Sequence, residues 1–517
     1  MNDPASVEQA DVFAFLEDPH THGLSEPVVR VDTHGAAVFL AGPDVYKVKR
    51  AVRFPYMDFS TLEKRHTACE AEISANLANA PDLYVGVVPI TRDAAGLHIG
   101  GSDTVVEWAV HLRRFDETAS LDRLADKAAL GAELVGKMAR AIFMAHQRAP
   151  VRDGVAATHE LRRLLSETVD ELHQTPDLFP GDNVGEFGRR LVSAFDRTEP
   201  LLLERAARDQ VRRCHGDLHL GNIVLIDGEP ILFDALEFNE AIATSDVLYD
   251  LAFPLMDLCK RGLRTDANQL LNGYLFLSDD MAFQIEGLAV LPLFLSLRAA
   301  IRAKVMAAQF HQSPKKTALR DTALAYFDAA VNFLSPAAPF LAAIGGLSGT
   351  GKSSLAAALA PEIGLAPGAL HLRSDIERKR ISGVSQETRL STESYRAQMT
   401  AEVYANLNEF AAAGLRAGRA VILDATFLRP EDRMAAQAIA ASAGVAFAGF
   451  WLDAPVDLLV RRVAQRVGDA SDATPAVVVA QTKAELGAIT WHRLDAGQQL
   501  PDLKHAALEL MPGKADS

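Results

Sequence analysis

The stretch HGDLHLGNIVL, residues 215–225, decides how the first two thirds of the chain are read. His215 and His219 stand four residues apart around Asp217, and Asn222 follows. A zinc protease would need His-Glu-x-x-His on a helix, with the glutamate as base and a third ligand downstream. Here Gly216 and Gly221 interrupt the run and no glutamate lies between the histidines. Gly and Asp also disfavour a helix at this point. The spacing that fits is Asp217-x4-Asn222, an aspartate base and a magnesium-binding asparagine in a phosphotransferase catalytic loop. The bland alternative makes both residues simple turn formers.

The residues that follow favour the catalytic reading. IVLIDGEPILFD, residues 223–234, alternates through two strands around Asp227-Gly228, a strong hairpin signal. Counting outward from that turn sets Asn222 opposite Phe233 and Asp234 beside Asn222 at the open end. A base and two oxygen ligands for Mg²⁺ would then converge, which turn formation alone leaves unexplained.

A second phosphate motif lies downstream in FLAAIGGLSGTGKSSLAAAL, residues 340–359. The run Gly346-Leu-Ser-Gly349-Thr350-Gly351-Lys352-Ser353 fits GxxxxGK[ST], with an apolar strand before it and an Ala/Leu helix from Ser354 after it. Glycines let backbone N–H groups close around phosphate oxygens, and the helix N-terminus adds a favourable dipole. Lys352 would reach the β- and γ-phosphates of ATP, and Ser353 would hold Mg²⁺. In LHLRSDIERKRI, Asp375 falls just past a short strand with Arg378 one turn on, where a carboxylate can take a proton from a substrate hydroxyl. The strand in AVILDATF ends at Asp424, a Walker-B-like or substrate-binding carboxylate. Arg462 and Arg466 share a helical face and are placed to close over the phosphoryl group. A solvated basic face explains those two arginines equally well. GDASDAT, residues 468–474, reads as a hinge or lid loop.

Composition sets the frame for both motifs. A chain of 517 residues, 49% apolar and 23% charged, is expected to fold as about two to four domains. No apolar run is long enough to span a bilayer and the N-terminus lacks a signal-peptide pattern, so a cytoplasmic protein with no membrane partner is expected. Three cysteines, none in CxxC, indicate neither a disulfide framework nor a thiolate zinc site. Of the net charge of −15, residues 1–334 carry −14, which argues against a nucleic-acid partner. The pattern is β-rich to about residue 115 and mainly helical to about 334. SPAAPF, residues 335–340, is a proline-bearing linker, after which strand–loop–helix units indicate a parallel sheet. The expected domains are thus 1–334, with lobes of about 1–115 and 116–334, and 335–517.

HGDLHLGN followed by FDALEF resembles the aminoglycoside phosphotransferase and choline-kinase superfamily. The resemblance implies an α+β, protein-kinase-like, bilobal domain with Asp217 as base and Asn222 and Asp234 as Mg²⁺ ligands. It also implies that Asp250, in SDVLYDLAF, braces the catalytic loop, with His215 and His219 as further bracing or substrate candidates. The nucleotide lysine should lie in VYKVKR, where Lys47 matches better than Lys49. Its ion-pair partner would be Glu70, with Glu63 and Glu72 as weaker matches. Only DTHGA, with Gly35, occupies the turn where a Gly-rich loop would stand. Arg298 and Arg302, on one helical face, are possible substrate contacts or plain surface arginines.

GLSGTGKSS, RSDIERKR, LDATF and the arginine-rich run resemble small P-loop kinases of the AAA_33, zeta-toxin and gluconate-kinase type, an α/β P-loop fold in which the carboxylate matching Asp375 is the base candidate. The whole combination is similar to bacterial proteins that join an aminoglycoside phosphotransferase-like domain to an ATP-binding domain. The expectation is a bifunctional ATP- and Mg²⁺-dependent kinase acting on hydroxyls of small molecules such as sugars or amino sugars. A nucleotide-sensing or toxin-like protein is the alternative.

Overall fold

In a computed structural model of the chain, residues 4–54, 57–237, 239–313, 315–386, 388–465 and 471–511 are described. The chain forms two compact units, Met1–Arg163 with Leu202–Asp257, and Leu164–Leu201 with Leu258–Ser517. Among the described residues, no helix is long and apolar enough to cross a membrane.

The first unit is built on a six-stranded antiparallel sheet. In spatial order its strands are Val29–Asp32, Ala36–Ala41, Asp44–Lys49, Thr104–Arg113, Tyr84–Arg92 and Leu97–Ile99. Alternation in AAVFLA and DVYKVK turns Ala37, Phe39 and Val48 into a core that Val12 and Leu16 of the helix Pro4–Glu17 complete. The helix Leu62–Asn76, capped by Thr61 accepting the Lys64 N–H, packs Cys69 against Leu83, Tyr84 and Val110. Val224 of the hairpin joins the same cluster.

That hairpin has the expected register. Ile223 pairs with Leu232 and Ile226 with Glu229, and the Phe233 N–H donates to the Asn222 carbonyl at 3.0 Å. Its turn residues Asp227 (φ 51°) and Gly228 (φ 79°) both take positive φ, as a two-residue turn matching the strand twist requires.

The second unit contains a five-stranded, all-parallel sheet. Its order is Leu370–Arg373, Val421–Asp424, Phe340–Gly346, Ala446–Asp453 and His492–Asp495. The central strand Phe340–Gly346 is buried throughout, as a strand covered on both faces must be. Gly346 (φ 139°) passes so close to its neighbour that a Cβ would lie 2.7 Å from the Leu452 carbonyl oxygen. The helices Arg264–Phe276, Met281–Gly287, Leu291–Gln312 and Thr317–Phe333 belong to this unit. The chain thus carries a kinase-like α+β fold, with its antiparallel sheet and catalytic-type hairpin, followed by an α/β P-loop fold.

Candidate active sites

In the first unit, Lys47, Lys49, Glu72, Asp217, Asp234 and Glu237 line one cavity of about 440 Å³, with Val38, Leu40 and Tyr84 in its apolar wall. Lys47 Nζ lies 2.9 Å from Glu72 Oε1 and 2.6 Å from Asp234 Oδ1. Lys49 pairs with Glu72 Oε2 at 2.5 Å and with Glu237. Burial works against ionising Lys47, yet Asp234, Glu72 and Glu237 hold its pKa well above the ordinary value. Burial likewise opposes ionisation of Asp234, but Lys47 holds its carboxyl down at about 2. Glu72 is kept below its ordinary range by the two lysines despite complete burial.

Glu72, rather than Glu70, is the partner of the lysine. The Glu70 side chain is 62% exposed and faces His66 one turn away, whereas Glu72 lies on the buried face of its helix. The signal was in the sequence: Ala68, Cys69, Glu72 and Asn76 follow the i, i+3, i+4 spacing of the stripe that packs on the sheet, and Glu70 falls off it. Glu63, the other weaker match, lies in the first turn of this helix. A second buried network holds the helix in place. Arg65 Nε lies 2.9 Å from both oxygens of Glu107, and Gln9 Nε2 donates to Glu107 at 2.7 Å and to the Lys49 carbonyl at 2.8 Å. The Ala51 N–H returns to Gln9 Oε1. Gln9, Glu107 and Glu237 were not legible as site-related residues from spacing alone.

The catalytic-type loop is braced from below by Asp250. Its Oδ1 accepts the Gly216 N–H at 2.9 Å, and its Oδ2 accepts the His215 N–H at 3.3 Å and faces His146 Nε2 at 3.1 Å. Gly216 (φ 84°) could not be replaced without strain, since a Cβ would lie 3.1 Å from that of Leu236. His215 is buried with Nε2 2.9 Å from the Phe233 carbonyl oxygen, and burial lowers its pKa. His219 sits with Nε2 3.6 Å from Asp217 Oδ2 and its ring against Phe253. The two histidines therefore serve different neighbours. Among the described residues, the one group of side chains with metal-ligand proximity is His146, Cys214 and Asp250, which includes neither of them.

The residues expected to hold Mg²⁺ have suitable chemistry. Asn222 Nδ2 donates to the Asp217 carbonyl at 2.9 Å, which leaves its amide oxygen as the group able to ligate. Asp234 (φ 58°) gives one oxygen to Lys47 and lines the cavity beside it. Two hard oxygen donors beside the Asp217 carboxylate suit Mg²⁺, whose role there would be to neutralise phosphate charge.

In the second unit, the loop Gly346–Gly351 connects the central strand to the helix Lys352–Leu359. Gly349 (φ 89°) and Gly351 (φ 87°) adopt the left-handed conformations the loop needs. Thr350 is buried and its Oγ1 donates to the Leu347 carbonyl, which Lys352 Nζ also contacts at 2.9 Å. Ser353 is half-buried at the helix start and Ser354 is exposed. Asp375 lies in the first turn of the helix Ser374–Ile381. Burial pushes its carboxyl pKa up, and Asp424 adds to the shift, while Ser471, Lys352 and Arg373 oppose it. Burial also opposes ionisation of Asp424, yet His371, at 3.2 Å, together with Arg373 and Lys352, holds its carboxyl at about 2. Arg378 is buried, donating to the Ser394 carbonyl at 2.7 Å and lying 4.7 Å from the centre of the Tyr395 ring.

Asp472, which spacing did not single out, gathers the surrounding loops. It accepts from the Leu390 N–H and the Tyr395 hydroxyl, both at 3.0 Å, and lies 3.8 Å from buried Lys379. Arg462 donates to the Ala496 carbonyl at 2.9 Å, so it ties its helix to the edge of the sheet. Arg466 and residues 468–470 of the expected lid lie outside the described residues. Arg298 is buried in the helix Leu291–Gln312, and Arg302 lies 5.8 Å from the centre of the Tyr326 ring. Both arginines belong to the second unit, whereas Asp217 belongs to the first.

These features define an ATP-dependent kinase, a phosphotransferase whose chain also carries a P-loop fold. Residues 40–284 match the phosphotransferase enzyme family, and residues 341–487 match an AAA domain. Uncharacterized proteins of Mycobacterium tuberculosis and Mycobacterium bovis are 30% identical over 482 residues, spanning 91% of this chain and 93% of theirs. The chain belongs to their family. Among solved structures, it is similar to a choline/ethanolamine kinase family protein from Mesorhizobium loti (16% identity, 63% of this chain and 95% of that one, TM-score 0.38). It is also similar to a gluconokinase from Sinorhizobium meliloti (20% identity, 33% and 90%, TM-score 0.24).

Proposed function

We propose that the chain is a bifunctional kinase in which residues 1–334 and 335–517 each transfer the γ-phosphoryl group of MgATP to a hydroxyl of a small molecule, such as a sugar, an amino sugar or a related metabolite. In the first half, Lys47 orients the phosphates and Glu72 orients Lys47. Asp217 takes the proton from the acceptor hydroxyl, with Asn222 and Asp234 as the ligands for Mg²⁺. In the second half, backbone N–H groups of Gly346–Gly351 and Lys352 cradle the phosphates, Ser353 ligates Mg²⁺, and Asp375 is the base. Both reactions depend mainly on positioning and charge stabilisation, so each site needs fixed lysines, carboxylates and amides more than a reactive nucleophile.

The observation that carries the first site is the Lys47–Asp234 contact of 2.6 Å in a cavity that Asp217 also lines. The raised pKa of Asp375 supports its role, because a more basic carboxylate takes a hydroxyl proton more readily. ATP consumption across a panel of hydroxyl compounds, with Asp217→Asn and Lys352→Ala variants, tests the reading. Each variant should lose a different product. If one half turns over no compound, yet its variant alters the other half's rate, that half is a nucleotide sensor and the bifunctional reading fails.

A further inference from the structure

The strand Leu370–Arg373 is an edge of the parallel sheet, and an edge strand presents backbone groups with no strand to pair them. Here a helix supplies the pairing. Asn272, on the helix Arg264–Phe276, accepts the His371 N–H through Oδ1 at 2.9 Å and donates through Nδ2 to the Ala369 carbonyl at 3.3 Å. One carboxamide thus makes the two bonds that a peptide group of a neighbouring strand would make. Asn268, one turn earlier and buried, donates to the same Ala369 carbonyl at 2.9 Å. Gly368 admits it, since a Cβ there would lie 2.8 Å from Asn268 Nδ2.

The residue held in this way leads to the phosphate site. His371 is fixed through its backbone by Asn272, and its imidazole Nε2 lies 3.2 Å from Asp424 Oδ2. Asp424 is 3% exposed and interacts electrostatically with both Lys352 and Asp375. The helix lies within residues 40–284, the segment matching the phosphotransferase enzyme family, yet its two amides face the P-loop sheet.

We propose that Asn268 and Asn272 are positioning residues of the P-loop site, pinning His371 so that it fixes the Asp424 carboxylate beside Lys352. The first half's sequence thereby supplies part of the second half's active-site scaffold. This rests on residues 346–353 binding nucleotide.

The test is calorimetry of MgADP and of metal-free ADP on the full chain carrying Lys47→Ala, which isolates the P-loop. Asn272→Ala should weaken MgADP binding about ten-fold, the scale on which orienting partners act, and change metal-free ADP binding much less. His371→Gln should do the same, and the double variant should be no weaker than either single one. An unchanged MgADP affinity accompanied by a lower Tm would make the amides merely structural and overturn the proposal. Additive losses would overturn the route through His371. If the Lys47→Ala chain bound no MgADP at all, the nucleotide reading of the P-loop would fail, and this inference with it.

Discussion

Lys47 Nζ lies 2.6 Å from Asp234 Oδ1, joining the third strand of the antiparallel sheet to the open end of a hairpin 187 residues later. Because Glu72 holds the same ammonium from another side, that lysine has one position between two carboxylates. Lys47→Ala should therefore lower kcat/KM for ATP in the first half about 10²–10³-fold, the cost of removing one aimed donor. Steady-state kinetics at varied ATP checks this.

The same pair sets a pH window. Asp234 titrates at about 2 in the fold against an ordinary 3.8, so its contribution to stability is complete above the ordinary value and lost as pH falls through about 2. In Lys47→Ala the Asp234 carboxyl should titrate nearer its ordinary value. Carboxyl NMR titration of the two proteins should show the midpoint move upward.

Glu72→Gln and Glu70→Gln separate the buried partner from the exposed one. Glu72→Gln leaves Lys47 and Lys49 short of a carboxylate inside the fold, a loss of about 3–5 kcal/mol for a broken buried pair. Glu70→Gln should change stability by no more than about 0.5 kcal/mol, as is usual for a surface position. Urea unfolding measures both.

Asp250→Ala should remove the brace from the catalytic loop. The His215 and Gly216 N–H groups would lose their buried acceptor, at about 1–3 kcal/mol for each unsatisfied group. The first-half activity should fall along with stability, while MgADP binding to the P-loop persists. Unfolding and calorimetry on one preparation check both.

For the second half, the raised pKa of Asp375 predicts the shape of the pH profile. The base form is lost as pH falls, and a raised pKa moves that loss to higher pH than an ordinary carboxylate would show. The acid limb of kcat/KM should have its midpoint above the ordinary 3.8 and disappear in Asp375→Asn along with the activity.

Much of this was legible because the signals were local. The hairpin count placed Asn222 opposite Phe233 and Asp234 beside it, since Asp227-Gly228 fixes the turn and the turn fixes the register. The P-loop strand and helix followed from an apolar run and a glycine motif that need no distant partner. The resemblance pointed to Glu70, but two residues are enough to turn a side chain to the opposite face of a helix, and the buried stripe carries Glu72. Gln9, Glu107, Glu237, Asn272 and Asp472 were not legible for a different reason. Each is an ordinary polar residue whose role appears only when elements far apart in sequence meet, as Gln9 meets Glu107 and Asn272 meets His371.

The central claim is that one chain carries two separate ATP sites, and counting bound nucleotide tests it most directly. Titrating the full chain calorimetrically with a non-hydrolysable ATP analogue and Mg²⁺ should give two sites per chain. Lys47→Ala and Lys352→Ala should each leave one site, and the double variant none. A single site in the unaltered protein, or the loss of both sites from either single substitution, would contradict the account.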